Sequence, residues 1–173
     1  KEEAAHDFLW RYHQHTPGKG QVAIFNRSHY EDVLVVRVHD LVPEEQWHKR
    51  YEHINNFERL LADNGTKVLK FYLHIDREEQ LERFKKRIDN PKKNWKISSS
   101  DYSERPYWDA YTEAFEEALS KCSTDTAPWF VIPANRKWAR NLLIARIVAD
   151  SMEGLEMRFP EPEVDMVEIR RMY

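Results

Sequence analysis

Asn26, Arg27, Glu31 and Asp32 lie close together in the sequence and have side chains suited to phosphoryl transfer. Carboxylate oxygens are hard ligands that bind Mg²⁺ directly or through water. A guanidinium group can donate two hydrogen bonds to one phosphate. Phosphoryl transfer needs both a metal ion and cations that neutralise the non-bridging oxygens. The same residues also fit a structural interpretation, in which the acids cap a helix and the arginine forms an ion pair. The residue types alone favour neither.

A second candidate group is a strongly basic segment. Between Arg83 and Lys96 the chain has seven Lys or Arg residues and one acid, Asp89. A cationic flap after a helix suits a lid that closes over a transferred phosphate, and a polyanion needs a track of cations. The alternative is a solvated helix balanced by nearby glutamates, but the imbalance lies at a loop broken by Pro91 and favours the lid. Trp95 in this loop suits either stacking on a base or anchoring the loop.

A third basic group, Arg136, Lys137 and Arg140, follows an apolar run at residues 129–133. The run is predicted to be a strand, and the basic residues are predicted to open a helix. Backbone amides at the start of a helix favour anions. These residues therefore fit the path of a polyanion, and they fit an ordinary helix surface equally well.

Two predicted elements position the first candidate group. The apolar run Gln21–Phe25 follows a Pro-Gly-Lys-Gly turn and is predicted to be a buried strand of a parallel sheet. Residues 28–41 have apolar positions at steps of three and four, which predicts a helix capped by Ser28. The Asn-Arg pair would then stand beyond the carboxyl end of a strand, where ligands bind in open α/β sheets. The two acids would lie in the first helical turn, where the helix dipole favours them.

The rest of the chain alternates between predicted strands and helices. This alternation predicts an α/β fold with a parallel sheet and helices on both faces. Further strands are expected at Thr66–Ile75 and Trp129–Pro133. The other segments are a helix opened by Pro43 and ended by Asn64-Gly65, a helix capped by Asp76 and running to Asn90, an irregular loop at 91–100, helices at about Asp101–Lys121 and Arg136–Leu155, and a surface tail at 159–173.

Length and composition limit the class of protein. With 173 residues and a net charge of −3, the chain is expected to form one domain, 1–173, without a global basic field for nucleic acid. The single cysteine, Cys122, fits a reducing cytosol, and no apolar run approaches the length of a membrane span. The motifs GxxxxGK[ST], GxGxxG, HExxH and GxSxG do not occur.

Three stretches of the chain resemble the polyphosphate kinase 2 family. They are HDFLWRYH at 6–13, FNRSHYEDVLVVRVH at 25–39 and VPEEQWHKRYEHINNFERLL at 42–61. The resemblance covers nearly the whole chain. It implies a P-loop kinase-like three-layer sandwich that moves phosphoryl groups between inorganic polyphosphate and a nucleoside mono- or diphosphate with Mg²⁺. It also implies a cytoplasmic homo-oligomer without nucleic-acid or membrane partners.

The resemblance assigns roles to the candidate residues. Glu31 and Asp32 would hold Mg²⁺, and Arg27 would bind the transferring phosphate. Many relatives have Asp at the position of Asn26, so this chain departs from the family with a poorer Mg²⁺ ligand. The other cations divide between a lid at residues 83–105 and a polyanion track: Arg83, Arg87, Lys93, Lys96 and Arg105 in the lid, with Lys137 and Arg140 along the track.

Family members have a phosphate-cradling loop upstream of the position where this sequence begins. We therefore expect the chain to lack the first third of the family's domain and to turn over little substrate by itself. Two other interpretations stay open. One is an ATP-dependent nucleotide kinase resembling thymidylate kinase, which would not need polyphosphate. The other is a non-catalytic fragment that binds polyphosphate or nucleotide without turnover.

Overall fold

The sheet of this protein is parallel and small. A computed structural model describes residues 2–173, and within them two strands pair, β1 at Lys70–His74 and β2 at Trp129–Pro133. The strands run in register from their first residues to their last. β2 has the predicted bounds, and β1 is the central part of the longer strand predicted at Thr66–Ile75. Each strand is followed by a helix, which is the connectivity that parallel strands require.

Helices make up most of the described chain. α3 begins directly after Pro43 and ends before Asn64-Gly65, as predicted. α4 is capped by Asp76, whose Oδ1 accepts a hydrogen bond of 2.7 Å from the amide of Glu79. The α-helices are α1 Trp10–His13, α2 Val35–Val38, α3 Glu44–Asp63, α4 Arg77–Ile88, α5 Ser99–Ser103, α6 Trp108–Cys122, α7 Lys137–Glu153 and α8 Met166–Arg171. Short 3₁₀ turns occur at Glu3–Ala5, His29–Asp32, Asn94–Lys96 and Arg105–Tyr107.

The core lies between α3, α6 and the segment that contains the His29–Asp32 turn. Large side chains on α3 enter it at helical spacing, including the fully buried Ile54. They meet small residues of α6, because Ala114 and Ala118 leave room for the two helices to approach closely. Tyr30 and Val33, also buried, fill the space on the third side. The core therefore fixes the backbone on both sides of the candidate acids.

The prediction of a buried strand at Gln21–Phe25 is wrong for this structure. The described chain forms no strand there, and Val22 and Ile24 are 78% and 91% exposed. A strand is stabilised by the neighbour with which it forms a ladder, and β1 and β2 pair with each other instead. The apolar composition of the run identified a segment suited to a sheet but could not supply its partner.

The prediction of one helix over residues 28–41 is also wrong in part. Ser28 caps as expected, with its hydroxyl accepting from the amide of Tyr30. The helix that it opens is only the 3₁₀ turn His29–Asp32, and the chain departs from helical geometry at Val33 before α2 begins. β-Branched residues are stiff at χ1 and weaken a helix, so burial of the apolar residues decides the backbone here.

The segment between α4 and α6 differs from the prediction in both of its halves. The loop expected at 91–100 contains a 3₁₀ turn, and α5 begins inside it behind a capping box formed by Ser98 and Asp101. The helix expected from Asp101 begins only at Trp108. Pro106 explains the break, because a proline in the interior of an α-helix removes an amide donor and clashes with the preceding turn. The expected surface tail includes α8 and is largely exposed. None of the helices in the described residues is long and apolar enough to cross a membrane.

The contact between α3 and α6 generates a stability prediction. Ala118 is 1% exposed at this contact, so Ala118→Leu should overpack it and lower the free energy of unfolding by about 1–3 kcal/mol. Glu113→Leu, on the exposed side of the same helix, should change it by less than about 0.5 kcal/mol. Urea denaturation measures both. Equal effects of the two variants would show that α6 does not pack as described.

Candidate active site

Arg27 has the most unusual backbone in the candidate site. Its φ angle is 69°, in the left-handed region that residues other than glycine rarely occupy. Its side chain is 80% exposed, so burial of the side chain does not explain the conformation. Such geometry persists only where neighbouring contacts enforce it, and it is concentrated at functional sites. The turn therefore presents a guanidinium group to solvent at some cost in backbone energy.

The contacts that enforce this turn come from α1 and from Ser28. The hydroxyl of Tyr12 donates a 3.0 Å hydrogen bond to the carbonyl oxygen of Ser28, directly after Arg27. Arg11 in turn donates to that hydroxyl at 2.7 Å. Ser28 itself is extended and caps the following 3₁₀ turn. Both the side chain and the backbone of Ser28 are thus engaged, which fixes the direction in which the chain leaves Arg27.

Glu31 lies on the same side of the turn as Arg27. The two charged groups are 3.9 Å apart, and the Glu31 side chain is 30% exposed. Burial raises the pKa of Glu31 and the negative charge of Asp32 adds to this rise, while Arg27 opposes it. The nearby positive charge therefore does not offset the loss of solvation of the Glu31 carboxylate. A cation bound beside this carboxylate would stabilise its charged form.

Asp32 is held by two arginines. Arg50 donates to its Oδ1 at 3.2 Å and to its backbone carbonyl at 2.9 Å, and Arg11 donates to its Oδ2 at 3.3 Å. The Asp32 side chain is 15% exposed, whereas the sequence placed it on an exposed first turn. Burial raises its pKa, although both arginines act in the opposite direction. Asp32 is thus part of a structural ion pair, and its oxygens already have partners.

The carboxylates of Glu31 and Asp32 are not equally available as ligands for a magnesium ion. Among the described residues, the carboxylate of Glu31 has only the 3.9 Å contact with Arg27, so its oxygens are available as ligands. Asp32 could reach a metal through water or by exchanging Arg11. Within the described residues no group of three or more metal-ligating side chains is assembled. Mg²⁺ keeps several waters and is commonly bound by one or two carboxylates together with substrate phosphates, and this turn offers that number. Asn26 is exposed.

Three of the predicted lid cations are bound to the protein itself. Arg83 donates to the carbonyl oxygens of Ala134 and Asn135 beyond β2 and to Glu79 at 2.8 Å. Arg105 donates to Gln80 at 2.6 Å. Arg87 lies 3.9 Å from the carboxylate of Asp101. These arginines tie the two ends of the lid segment to each other and to the sheet.

The lysines of the lid differ from its arginines. Lys93 is exposed, and Lys96 is exposed with its ammonium 5.0 Å from the ring of Trp95. Trp95 is itself 78% exposed, and its indole nitrogen donates to the carbonyl of Lys92. The aromatic ring thus braces the loop while its faces stay accessible. Lysine charges are therefore available to a polyanion where the arginines are not.

The third basic group stands at the carboxyl end of the sheet. Lys137 is exposed and Arg140 is partly buried at the start of α7, and Arg140 donates to the neighbouring Asn141. A cavity of about 300 Å³ adjoins them, lined by the last residues of β1 and β2 and by residues that follow them: His74, Asp76, Pro133, Ala134, Asn135, Arg136 and Ala139. This is the edge of a parallel sheet at which ligands are expected.

Sequence reasoning missed several residues that hold this site together. Tyr12 and Arg50 carried no recognisable signal, because their partners are 16 and 18 positions away. Lys70 did carry one, since a lysine within a strongly apolar β-rich run suggests a buried charge in need of a partner. Its partner, Glu58, stands on the buried face of α3.

Comparison with known proteins agrees with the sequence resemblance. The family model described as Polyphosphate kinase 2 matches residues 1–160. An AMP/ADP-polyphosphate phosphotransferase of Meiothermus ruber is 55% identical over 94% of the chain and 61% of its own length. An ADP-polyphosphate phosphotransferase of Rhodopseudomonas palustris is 45% identical over 92% and 59%. The chain spans about 60% of the length of these relatives.

A solved structure gives the same result for the fold. The crystal structure of polyphosphate kinase 2 from Arthrobacter aurescens TC1 superposes with a TM-score of 0.96 at 41% identity, over 99% of this chain and 61% of that one. The α/β class with a parallel sheet is confirmed, and the match supports a kinase fold of the P-loop type. The chain belongs to the polyphosphate kinase 2 family.

The left-handed turn generates the prediction for this site. Arg27→Gly removes an exposed side chain and relieves the unfavourable φ angle, so the free energy of unfolding should stay unchanged or rise by up to about 1 kcal/mol. Arg27→Ala keeps the Cβ atom and should give no such gain. Urea denaturation compares the two. A loss of more than about 1 kcal/mol in Arg27→Gly would mean that the arginine is a structural residue.

Proposed function

We propose that the protein carrying this chain transfers a phosphoryl group between inorganic polyphosphate and a nucleoside mono- or diphosphate, assisted by Mg²⁺. The observation that carries this proposal is the exposed guanidinium of Arg27, held on a left-handed turn beside the partly buried Glu31. The names of the relatives from Meiothermus ruber and Rhodopseudomonas palustris, both polyphosphate phosphotransferases, support the choice of substrates.

The residues of the turn divide the work of transfer. Arg27 binds the non-bridging oxygens of the transferring phosphoryl group, where its planar fork matches two oxygens at once. Glu31, with Asp32 behind it, would hold Mg²⁺, which when bound neutralises charge on the phosphates. The oxygens of an accepting phosphate are already nucleophilic, so the reaction needs no general base from the protein. Orientation and charge neutralisation account for the catalysis.

The remaining cations serve the polyanion in two ways. Lys93 and Lys96 are exposed and contact the polyphosphate, and Lys137 and Arg140 extend the track beyond the sheet. The three lid arginines, Arg83, Arg87 and Arg105, place the lid through their contacts with the protein. Lysines suit a repetitive polyanion because their point charges do not demand one fixed geometry.

We further propose that the protein works as a homo-oligomer in the cytoplasm. Trp138, Leu142 and Leu143 on α7 are 67%, 63% and 40% exposed, and so much apolar surface on one helix is commonly covered in an assembly. The one cysteine, Cys122, is a buried free thiol, which suits a reducing compartment. Sedimentation of the protein at its natural length measures the assembly.

The activity is tested with the protein at its natural length. Purified protein is incubated with Mg²⁺, polyphosphate and either AMP or ADP, and phosphorylated nucleotide is measured. We expect product only when polyphosphate is present. Product formed from ATP without polyphosphate would instead support an ATP-dependent nucleotide kinase. Binding of polyphosphate without any product would support a non-catalytic binding protein.

Charge reversal in the lid tests the proposed track. Lys93→Glu/Lys96→Glu should raise KM for polyphosphate by about 10-fold or more, with a smaller change in KM for the nucleotide, because only the polyanion follows the lysines. Lys49→Glu/Lys67→Glu reverses the same charge at two exposed lysines outside the lid and serves as the matched control. An equal rise in both KM values, or an equal effect of the control, would contradict the track.

Neutral substitutions of the two acids, Glu31 and Asp32, should have different effects on magnesium binding and on stability. Glu31→Gln should raise the Mg²⁺ concentration for half-maximal activity by about 10-fold with little change in stability, since a charged ligand is lost at a partly exposed site. Asp32→Asn should also lower the free energy of unfolding, by about 1–3 kcal/mol, because Arg50 would keep a buried charge with a weaker partner. Magnesium titrations and urea denaturation measure these effects. An unchanged magnesium requirement in Glu31→Gln would place the metal elsewhere.

A further inference from the structure

A buried ion pair lies directly behind the candidate turn. Lys70 of β1 and Glu58 of α3 are 6% and 1% exposed, and their charged groups are 2.6 Å apart. The ammonium of Lys70 also donates to the hydroxyl of Tyr30 at 2.9 Å and to the carbonyl oxygen of Cys122 at 2.6 Å. All three of its donors are therefore used within the protein.

The same pair contacts the first two residues of the His29–Asp32 turn. Oε1 of Glu58 accepts from the hydroxyl of Tyr30 at 2.9 Å and lies 3.2 Å from Nε2 of His29. Two consecutive side chains of a one-turn helix are thus fixed by one carboxylate. Glu31 and Asp32 are the next two residues and complete the turn. The fixed side chains of His29 and Tyr30 therefore determine the directions in which Glu31 and Asp32 project.

Stability alone does not explain a pair of this kind. Removing two charges from water is expensive, and replacement of a buried ion pair by apolar residues of similar volume is often neutral or stabilising. What an apolar pair cannot supply is direction, because it offers no hydrogen bond to Tyr30 or His29. The geometry therefore suggests that the pair fixes orientation more than it contributes to stability.

We propose that Glu58 and Lys70 are positioning residues that set the rotation of the His29–Asp32 turn, and with it the placement of Glu31 and Asp32 against the phosphates. Both residues are buried, so they would act on the substrate through Tyr30 and His29. The catalytic part of this inference rests on the proposed function, since it assumes that the turn handles phosphoryl groups.

The test replaces the ion pair by an apolar pair of similar size. Glu58→Leu/Lys70→Met should still fold, with a midpoint of thermal unfolding about 2–10 °C below that of the wild-type protein, because the buried hydroxyl of Tyr30 loses both partners. Its kcat for polyphosphate-dependent transfer should fall by about 10- to 100-fold, because small misplacements of reacting groups have effects of this size. KM for the nucleotide should change little, and the Mg²⁺ concentration that gives half-maximal activity should rise.

Tyr30→Phe provides a second, milder variant. It leaves Glu58 and Lys70 in place and removes only the hydroxyl that links them to the turn. It should lower kcat in the same direction with a smaller effect. Arg37→Met/Glu117→Leu is the matched control, because it removes an ion pair between α2 and α6 that does not contact the turn, and it should leave kcat unchanged.

Amide hydrogen exchange gives a readout that does not depend on activity. The amides of Val33 and Leu34 donate to the carbonyl of Tyr30 at 3.0 Å. They should exchange about 10-fold faster in the double variant, or in Tyr30→Phe if the double variant does not fold, while α3 keeps its protection. Unchanged exchange overturns the proposal, as does faster exchange with full activity. If the wild-type protein lacks transferase activity, the proposed function is wrong. The exchange result alone then decides whether the ion pair holds the turn.

Discussion

The ion pair of Glu58 and Lys70 joins four parts of the chain that are far apart in sequence. It contacts α3, β1, the end of α6 and the 3₁₀ turn that begins at His29. A charge buried to this degree must find partners or be neutralised, and burial does lower the pKa of Lys70 against the opposing effect of Glu58. Each partner in the cluster is therefore constrained by the others. The turn that carries the acids is placed by the core and not by its own helix propensity.

A second constraint separates the positive charges into two sets. Arginines have five donors in a rigid fork and can hold several acceptors at once. Arg50 holds one backbone carbonyl and Arg83 holds two, each together with a carboxylate. Lys93 and Lys96 are exposed on the surface. Arg50 and Arg83 thus hold parts of the chain together, whereas Lys93 and Lys96 are accessible to a ligand. A count of positive residues in the sequence could not make this distinction.

The sequence predicted elements whose signals are local. β2 has its predicted bounds, α3 starts after Pro43 as expected, and Asp76 caps α4. Predictions that depend on distant partners were less successful. Gln21–Phe25 has the composition of a strand but no ladder in the described residues, and 28–41 has helical spacing but is broken by the burial of its apolar residues.

The candidate site follows the same division. Arg27 and Glu31 were recognisable by type and spacing, and the structure leaves both accessible to solvent. The ion pair of Asp32 with Arg50 was not predictable, because it joins residues 18 positions apart on different elements. An exposed first-turn acid and a half-buried acid between two arginines have the same sequence pattern. Only the tertiary contacts separate a free carboxylate from one that already has partners.

The strained backbone at Arg27 lies directly before a segment that tertiary contacts hold in place. Tyr12 holds the carbonyl of Ser28, and Arg50 holds both the carboxylate and the carbonyl of Asp32. Because the chain must enter this fixed segment in one direction, Arg27 takes the left-handed conformation. Strain of this kind is stable only where the surroundings over-determine it. As a consequence, the backbone of Arg27 loses its conformational freedom on folding. Binding of a phosphate to the guanidinium therefore does not have to overcome this backbone entropy a second time.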